Sequence, residues 1–391
     1  MEGNYIKINW LLTPLSWLYG LAVSIRNLLF DTNVIEEKAY AIPVIAVGNI
    51  TVGGTGKTPH VEYLIRLLRN HFRVAVLSRG YKRKSRGFLL AKPETPMQQL
   101  GDEPYQIKQK FPDVEVAVDK SRREGIDKLT GGEHTHDVDV VLLDDAFQHR
   151  YVKPGVNILL VDYHRLIIYD KLLPAGRLRE PLKAKNRADI VIVTKCPGDL
   201  KPMEFRVLIK QMDLFPYQKL FFTTLEYDAL QPVFQDAGSA IPLSAIGDCH
   251  VLLLTGIASP KQMAEDLESH VASLKPLTFG DHHNFRKKDI QRINKMYASL
   301  PQPAIIVTTE KDAARLADNK VLSDEVRRHL YALPVRIRFM LEGDEMFNEN
   351  IIGYVRKNSR NSILAKRKDD NKSKDSDNSG DRPRRISFRD N

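Results

Sequence analysis

Hydrophobic positions follow three different rhythms along the chain. No charge appears from Ile8 to Ile25, where Leu11, Leu15, Leu18, Ala22, Ile25 and Leu29 recur at helical spacing. Thr13, Ser16, Gly20, Ser24 and Asn27 form a small, polar stripe opposite them, so an amphipathic helix is predicted. Short β-branched or aliphatic runs then alternate with helical patterns: "PVIAV" (43–47), "RVAVL" (73–77), "VEVAV" (114–118), "VDVVLL" (138–143), "NILLV" (157–161) and "DIVIVT" (189–194). Between the first two, Val61, Leu64, Ile65 and Leu68 mark a helical stripe. Continuous apolar strands separated by helices predict an α/β fold with a mostly parallel sheet covered on both faces. "HVLLLTG" (250–256) and "AIIVTT" (304–309), each preceding a helical stretch, predict a second, smaller α/β unit. "KLFFTTLEY" before it and "LPVRIRFM" after it read as strands of a paired connector.

The expected organisation is an N-terminal helix over 1–30, a phosphate-loop domain over 31–225, a smaller α/β domain with the two-strand connector over 226–357, and a tail over 358–391. The tail is mixed in charge and nearly empty of apolar residues, which predicts disorder.

Length supports two cores, since 391 residues exceed what one ordinary core holds. A net charge of +10 favours anionic partners without choosing among them. The two cysteines, Cys196 and Cys249, stand far apart and outside any metal-ligand spacing. That argues against a disulfide framework or structural zinc and for a reducing compartment. Both tryptophans, Trp10 and Trp17, fall in the N-terminal helix, and tryptophan favours membrane interfaces. The uncharged run is at the lower limit for spanning and contains Pro14, so a helix lying on a membrane surface is expected first, an ordinary core or partner-binding helix second and a span last.

Chemistry concentrates at strand ends. "VGNITVGGTGKTP" joins a strand to a helix, the setting a phosphate-binding loop requires, although Thr51 stands where the usual pattern has its first glycine. Gly53, Gly54 and Gly56 permit close backbone approach, Lys57 supplies an ammonium, and Thr58 a hydroxyl for Mg²⁺. Thr51, Val52 and Thr55 complete the candidate nucleotide loop. "VDVVLLDDAFQHR" ends a hydrophobic strand in Asp144 and Asp145, placed to face a nucleotide crevice and orient a metal. "LGDEPYQI" sets Asp102 beside Glu103, "LLPAGRLREPL" carries Arg179 and Glu180, and "FGDHHNF" presents Asp281, His282 and His283. Together they offer a base, metal carboxylates and a cationic clamp, the parts of phosphoryl transfer.

With these motifs in this order, together with "LSRGY", "TGIASP" and "VTTEKDA", the sequence resembles the tetraacyldisaccharide 4′-kinase (lipid A 4′-kinase) family from about residue 10 to about residue 340. The opening loop fits the family variant "GNxTxGGxGKT", in which Gly48 begins the turn early. The resemblance implies a membrane-associated kinase that moves the γ-phosphoryl group of ATP to the 4′-hydroxyl of a lipid disaccharide 1-phosphate. It implies ATP and Mg²⁺ as cofactors and a P-loop domain closing against a smaller α/β domain. The implied location is the cytoplasmic face of a Gram-negative inner membrane, with neither nucleic acid nor a protein partner required. Carried onto this chain, it makes Asp102 the general base and His282 its partner. Lys57 and Thr58 become phosphate and Mg²⁺ contacts, and Glu103, Asp144, Asp145 and Glu180 the metal-side carboxylates. Arg79, Tyr81, Gln148 and Arg179 become nucleotide or acceptor contacts, with Arg122 or its neighbour Arg123 a further option. The family often has glycine where this chain has Ala146.

Two other classes account for part of the pattern. Another P-loop phosphotransferase or ligase explains the loop and the aspartate pair but not the apolar N-terminus with "DHHNF". A membrane-recruited nucleotide switch leaves Asp102 and His282 without a role.

Overall fold

Continuous apolar strands need cover on both faces, and the computed structural model supplies it. Residues 8–132, 138–234, 238–257, 260–281, 283–317 and 321–359 are described. The chain enters through α1 (Thr13–Asp31) and alternates through β1 (Val44–Gly48), α2 (Lys57–Leu68), β2 (Val74–Ser78), β3 (Leu89–Leu90), α3 (Met97–Leu100), α4 (Asp102–Lys110), β4 (Glu115–Val118), α5 (Arg122–Thr130) and β5 (Val140–Asp144). It continues through β6 (Val156–Asp162), β7 (Ile190–Thr194), α6 (Pro202–Met212) and β8 (Lys219–Tyr227). A second run follows: β9 (Gln231–Pro232), β10 (His250–Thr255), α7 (Lys261–Glu268), β11 (Ser273–Thr278), α8 (Lys287–Ala298), β12 (Ala304–Thr309), α9 (Glu310–Leu316), α10 (Asp324–Arg328) and β13 (Leu330–Leu333). The last strand is β14 (Val335–Phe339), and a final helix, α11, covers 343–359 of the described residues.

Nine strands form the larger sheet in the order β14-β8-β7-β6-β1-β5-β2-β4-β3. Pairing is parallel from β8 to β4 and antiparallel at both edges. Period-two alternation sends Ile45 and Val47 to a core with Val61, Leu64 and Ile65 of α2. It sends Val44 and Ala46 to the opposite core with Ile126 and Leu129 of α5. The smaller sheet runs β11-β10-β12-β13-β9 and is likewise sandwiched between two cores. The expected α/β architecture is therefore the observed one.

The two connector strands do pair, β14 antiparallel to β8, but as the edge of the larger sheet rather than as a free-standing ribbon. Ile337 and Phe339 of β14 and Phe347, Ile351 and Val355 of α11 lie in the core beneath α2. The stretch expected as one unit over 226–357 is thus divided: beyond residue 334 the chain returns to the larger sheet, because its apolar residues complete that core. Two edge strands, β9 and β11, were not expected. β11 is mostly exposed and contains Pro276, and such edges lack the buried apolar run that marks central strands. The expected disordered tail lies outside the described residues from 360 onward.

The N-terminal helix forms, with an unusual orientation. Its small residues face the protein: Ser16 is 4% exposed and Gly20 is buried. Its large apolar residues face outward, Leu11 at 90% and Trp17 at 73% exposure, with Leu15, Leu18 and Ile25 beside them. Ser24, of the same small, polar stripe, is exposed. Among the described residues, no helix is long and apolar enough to cross a membrane.

Candidate active site

Parallel strands carry their carboxyl ends to one edge, where loops can converge on a ligand. In the register of the sheet Val47 of β1 lies opposite Asp144 of β5, and Leu77 of β2 opposite Leu143. The phosphate loop, the Asp144-Asp145 pair and "SRGY" therefore leave the sheet together. Gly48 is required by this convergence rather than by turn geometry. It is the last residue of β1, and a Cβ there would stand 2.7 Å from the Phe147 amide nitrogen.

Gly53 and Gly56 carry the loop at φ 113° and 79°, left-handed conformations that favour glycine, and Gly56 caps the start of α2. Inside the loop the Asn49 amide donates to Thr55 Oγ1 at 2.8 Å, and Thr194 Oγ1 donates to the Thr55 carbonyl at 3.0 Å. Lys195 Nζ reaches the Gly54 carbonyl and Asp162, making it a brace of the loop. His60 is buried one turn into α2, and burial lowers its pKa to about 4. The neutral ring contacts the Gly56 carbonyl through Nδ1 at 2.7 Å, so Nδ1 carries the proton and Nε2 accepts from Thr223 Oγ1 at 3.1 Å.

Two members expected to contact nucleotide are committed elsewhere. Thr51 is buried and bridged to Leu178, and the Val52 amide donates to the Arg177 carbonyl at 2.9 Å. The segment 171–179 thus backs the loop, and Arg179 donates its own amide to the Ile50 carbonyl at 2.8 Å. Arg179 also reaches the Gln148 side-chain oxygen at 3.4 Å. Thr51, where the usual pattern has glycine, thus serves an isolated β-bridge to Leu178 that ties the loop to this segment.

Lys57 Nζ stands 3.5 Å from Asp145 Oδ1. Asp145 is half-exposed with φ 49°. Asp144 is buried; its Oδ2 accepts from Ser78 Oγ at 3.2 Å, while Oδ1 is buried with no hydrogen-bond partner. Burial first, then the charges of Glu103 and Asp145, push its carboxyl up to about 7 against the opposing pull of Lys57 and Arg122. A buried carboxylate oxygen with no hydrogen-bond partner, near other carboxylates, is chemically suited to a cation. Among the described residues no three His, Cys, Asp or Glu side chains already converge at ligand spacing. Magnesium characteristically takes one or two carboxylates and completes its shell with phosphates and water, so this donor set fits it.

Of Arg122 and Arg123, it is Arg122 that packs against the end of β5. It is buried, donates to the carbonyls of Asp144 and Asp119 at 3.1 Å, and burial lowers its pKa to about 10. Arg123 instead lies over the Tyr151 ring and donates to its carbonyl at 2.7 Å. Ser78 was not foreseen, because nothing local distinguishes a serine at a strand end. Arg79 and Tyr81 follow it and are exposed at the edge. His149, beside Gln148, has its pKa lowered to about 4 by burial and then by Arg122, Arg26, Arg79 and Arg123, so this rim carries concentrated positive charge.

Glu180 is held among arginines. It is 1% exposed, paired with Arg187 and 3.7 Å from Arg26 of α1. Its Oε2 is taken by Arg187, while its Oε1 is buried with no hydrogen-bond partner.

Asp102 and Glu103 open α4 and face α9 of the smaller sheet: Asp102 pairs with Arg315, and Glu103 accepts from Lys311 at 3.1 Å. His282 lies outside the described residues. Its neighbour His283 donates from Nε2 to Asp289 at 3.0 Å, at the start of α8, and stacks on Phe279, which accounts for that histidine structurally.

The chain matches the tetraacyldisaccharide-1-P 4′-kinase family over residues 8–355. It is 57% identical to the tetraacyldisaccharide 4′-kinase of Phocaeicola vulgatus over 364 residues, which cover 93% of this chain and 99% of that protein. The protein of the same description from Bacteroides thetaiotaomicron is 52% identical, covering 94% of this chain and 98% of its own. Among solved structures, LpxK from Aquifex aeolicus, an "apo" form in complex with ATP, superposes with a TM-score of 0.65 at 29% identity. That likeness covers 88% of this chain and 98% of the other.

Proposed function

Since the chain belongs to the tetraacyldisaccharide-1-P 4′-kinase family, we propose how its residues carry out that reaction, ATP-dependent phosphorylation of the 4′-position of a tetraacyldisaccharide 1-phosphate. The observation carrying the assignment is the meeting of Lys57, Asp144 and Asp145 at the mouth of the glycine loop, beside the α4 carboxylates.

Lys57 and the amides of Gly53 to Thr58 hold the ATP phosphates. Thr58, Asp144 and Asp145, with Glu103 at the margin, are the residues that would hold Mg²⁺, which neutralises charge on the phosphate oxygens. Arg79 and Gln148 form a cationic and polar rim for phosphate groups, and the buried Arg122 adds positive charge behind Asp144. Asp102 accepts the proton of the 4′-hydroxyl as its oxygen bonds to the γ-phosphorus and the bond to the β–γ bridging oxygen breaks, releasing ADP. The family resemblance adds His282, outside the described residues, as a partner of Asp102. The outward apolar face of α1 rests on the membrane that holds the lipid, so the enzyme works peripherally at the cytoplasmic face of the inner membrane, where ATP is available.

The test is transfer of label from γ-labelled ATP to a defined tetraacyldisaccharide 1-phosphate, with the phosphorylated hydroxyl mapped. Label at the 4′-position that disappears in Asp102→Asn supports the reading. ATP turnover with no phosphorylated lipid would replace it with a nucleotide switch.

A further inference from the structure

Asp102 sits on the larger sheet, yet the group that holds it comes from the smaller one. The Arg315 side chain on α9 is 3% exposed and spans two carboxylates, Asp312 at 2.7 Å through Nη1 and Asp102 Oδ2 through Nη2. Asp312 is itself fully buried. It accepts from the Gly256 amide at 2.7 Å and from Thr309 Oγ1 at 2.9 Å. Gly256 follows β10, and Thr309 ends β12. A Cβ on Gly256 would approach Asp312 Oδ1 to 2.9 Å. The guanidinium is thus anchored by the strand ends of the smaller sheet and presented across the gap between the sheets.

The contacts beside it share the same geometry. Lys311 reaches Glu103 at 3.1 Å, and Lys110 of α4 reaches Glu310 of α9 at 2.7 Å. Surface ion pairs are individually weak, but a buried guanidinium forked between two carboxylates combines charge with directional hydrogen bonding. A base that accepts a hydroxyl proton needs a fixed orientation, and Nη2 of a guanidinium already fixed by Asp312 through Nη1 gives Asp102 Oδ2 a donor in a set position.

We propose that Arg315 is a positioning residue for phosphoryl transfer: it aims Asp102 from the opposite sheet, so that meeting of α4 and α9 and alignment of the base are one event. This rests on Asp102 being the base. The mechanism requires Arg315 to act only through Asp102, leaving ATP binding alone.

Steady-state transfer by the full chain, with ATP and tetraacyldisaccharide 1-phosphate in mixed micelles, separates the possibilities. In Arg315→Gln we expect kcat to fall about tenfold or more with the KM for ATP within about twofold, and Arg315→Lys to recover part of the loss. In an Asp102→Asn background, Arg315→Gln should cost nothing further, the non-additivity of residues acting as a unit. Equal losses in both backgrounds, or a kcat that rises in Arg315→Gln, would overturn the role of Arg315 while leaving the base assignment standing. Full activity in Asp102→Asn would overturn both. Should Arg315→Gln show no cooperative thermal transition, Arg315→Lys decides, and a wild-type kcat in that variant overturns the inference.

Discussion

At Gly48 the constraint is a neighbour distant in sequence. A methyl group would press on the backbone of Ala146 and Phe147 and push the segment bearing Asp144 and Asp145 away from the phosphate loop. Gly48→Ala is expected to cost about 1–3 kcal/mol in urea unfolding, the usual range for overpacking, and to lower kcat more than stability alone accounts for. Wild-type kcat in a folded Gly48→Ala protein would show that the two segments are not coupled. His60 gives the site a pH limit. Its pKa falls from 6.5 in the unfolded chain to about 4 in the fold, so the unfolded state binds more protons between those values. Its contribution is fully present above pH 6.5 and is lost as pH drops through 4, on the order of 3 kcal/mol. His60→Asn should flatten the stability curve across that window, measured by urea midpoints at fixed temperature.

Among the elements, α1 is read differently once its neighbours are known. Helical spacing predicts two faces, but not which one the protein covers. Ser16 Oγ donates to the Leu172 carbonyl and accepts from the Ala175 amide, and Tyr19 donates to the Arg179 carbonyl. The same 171–179 segment pairs with Thr51 and Val52 of the phosphate loop. Each face therefore has its own expected variant. Trp17→Glu with Leu18→Glu should abolish sedimentation with anionic phospholipid vesicles and leave the KM for ATP near wild type. Gly20→Leu would drive a side chain into Leu172, where even a Cβ lies at 2.7 Å, and should raise the KM for ATP while vesicle binding persists. Identical phenotypes from the two variants would argue against this division of labour.

For the molecule as a whole, the chain closes its larger unit with residues that arrive last. Tyr354 of α11 accepts from the Val44 amide at 3.2 Å, at the very start of β1, and its ring occupies the space beside Gly155. Truncation after residue 342 should therefore unfold the phosphate-loop unit, lowering Tm by well over the few degrees expected of a surface change. Truncation after residue 359 should leave Tm and transfer intact. A stable, active chain ending at 342 would refute the claim that α11 belongs to that core.

Central strands, the helix after the phosphate loop and the aspartates at a strand end were legible locally. Burial on two faces demands unbroken apolar runs, and phosphate binding demands glycines and a lysine at fixed spacing. Edge strands such as β11 were not, because an exposed strand with a proline carries no such run. Arg315, Ser78 and Arg122 were also hidden or left open, since a pairing between segments distant in sequence has no signature in the spacing of either partner. The arginines beside Glu180, Arg26 and Arg187, come from elsewhere in the fold and could not be read from its motif. By itself, then, the amino-acid order determined the α/β alternation, the phosphate loop and the carboxylates of the chemistry, because each depends on contacts within one strand–loop–helix unit. Tertiary structure alone decided which face of α1 is free, which segment Thr51 bridges, and which sheet supplies the arginine on Asp102. Those outcomes depend on contacts between segments more than 100 residues apart, such as Arg315 with Asp102 and Thr51 with Leu178.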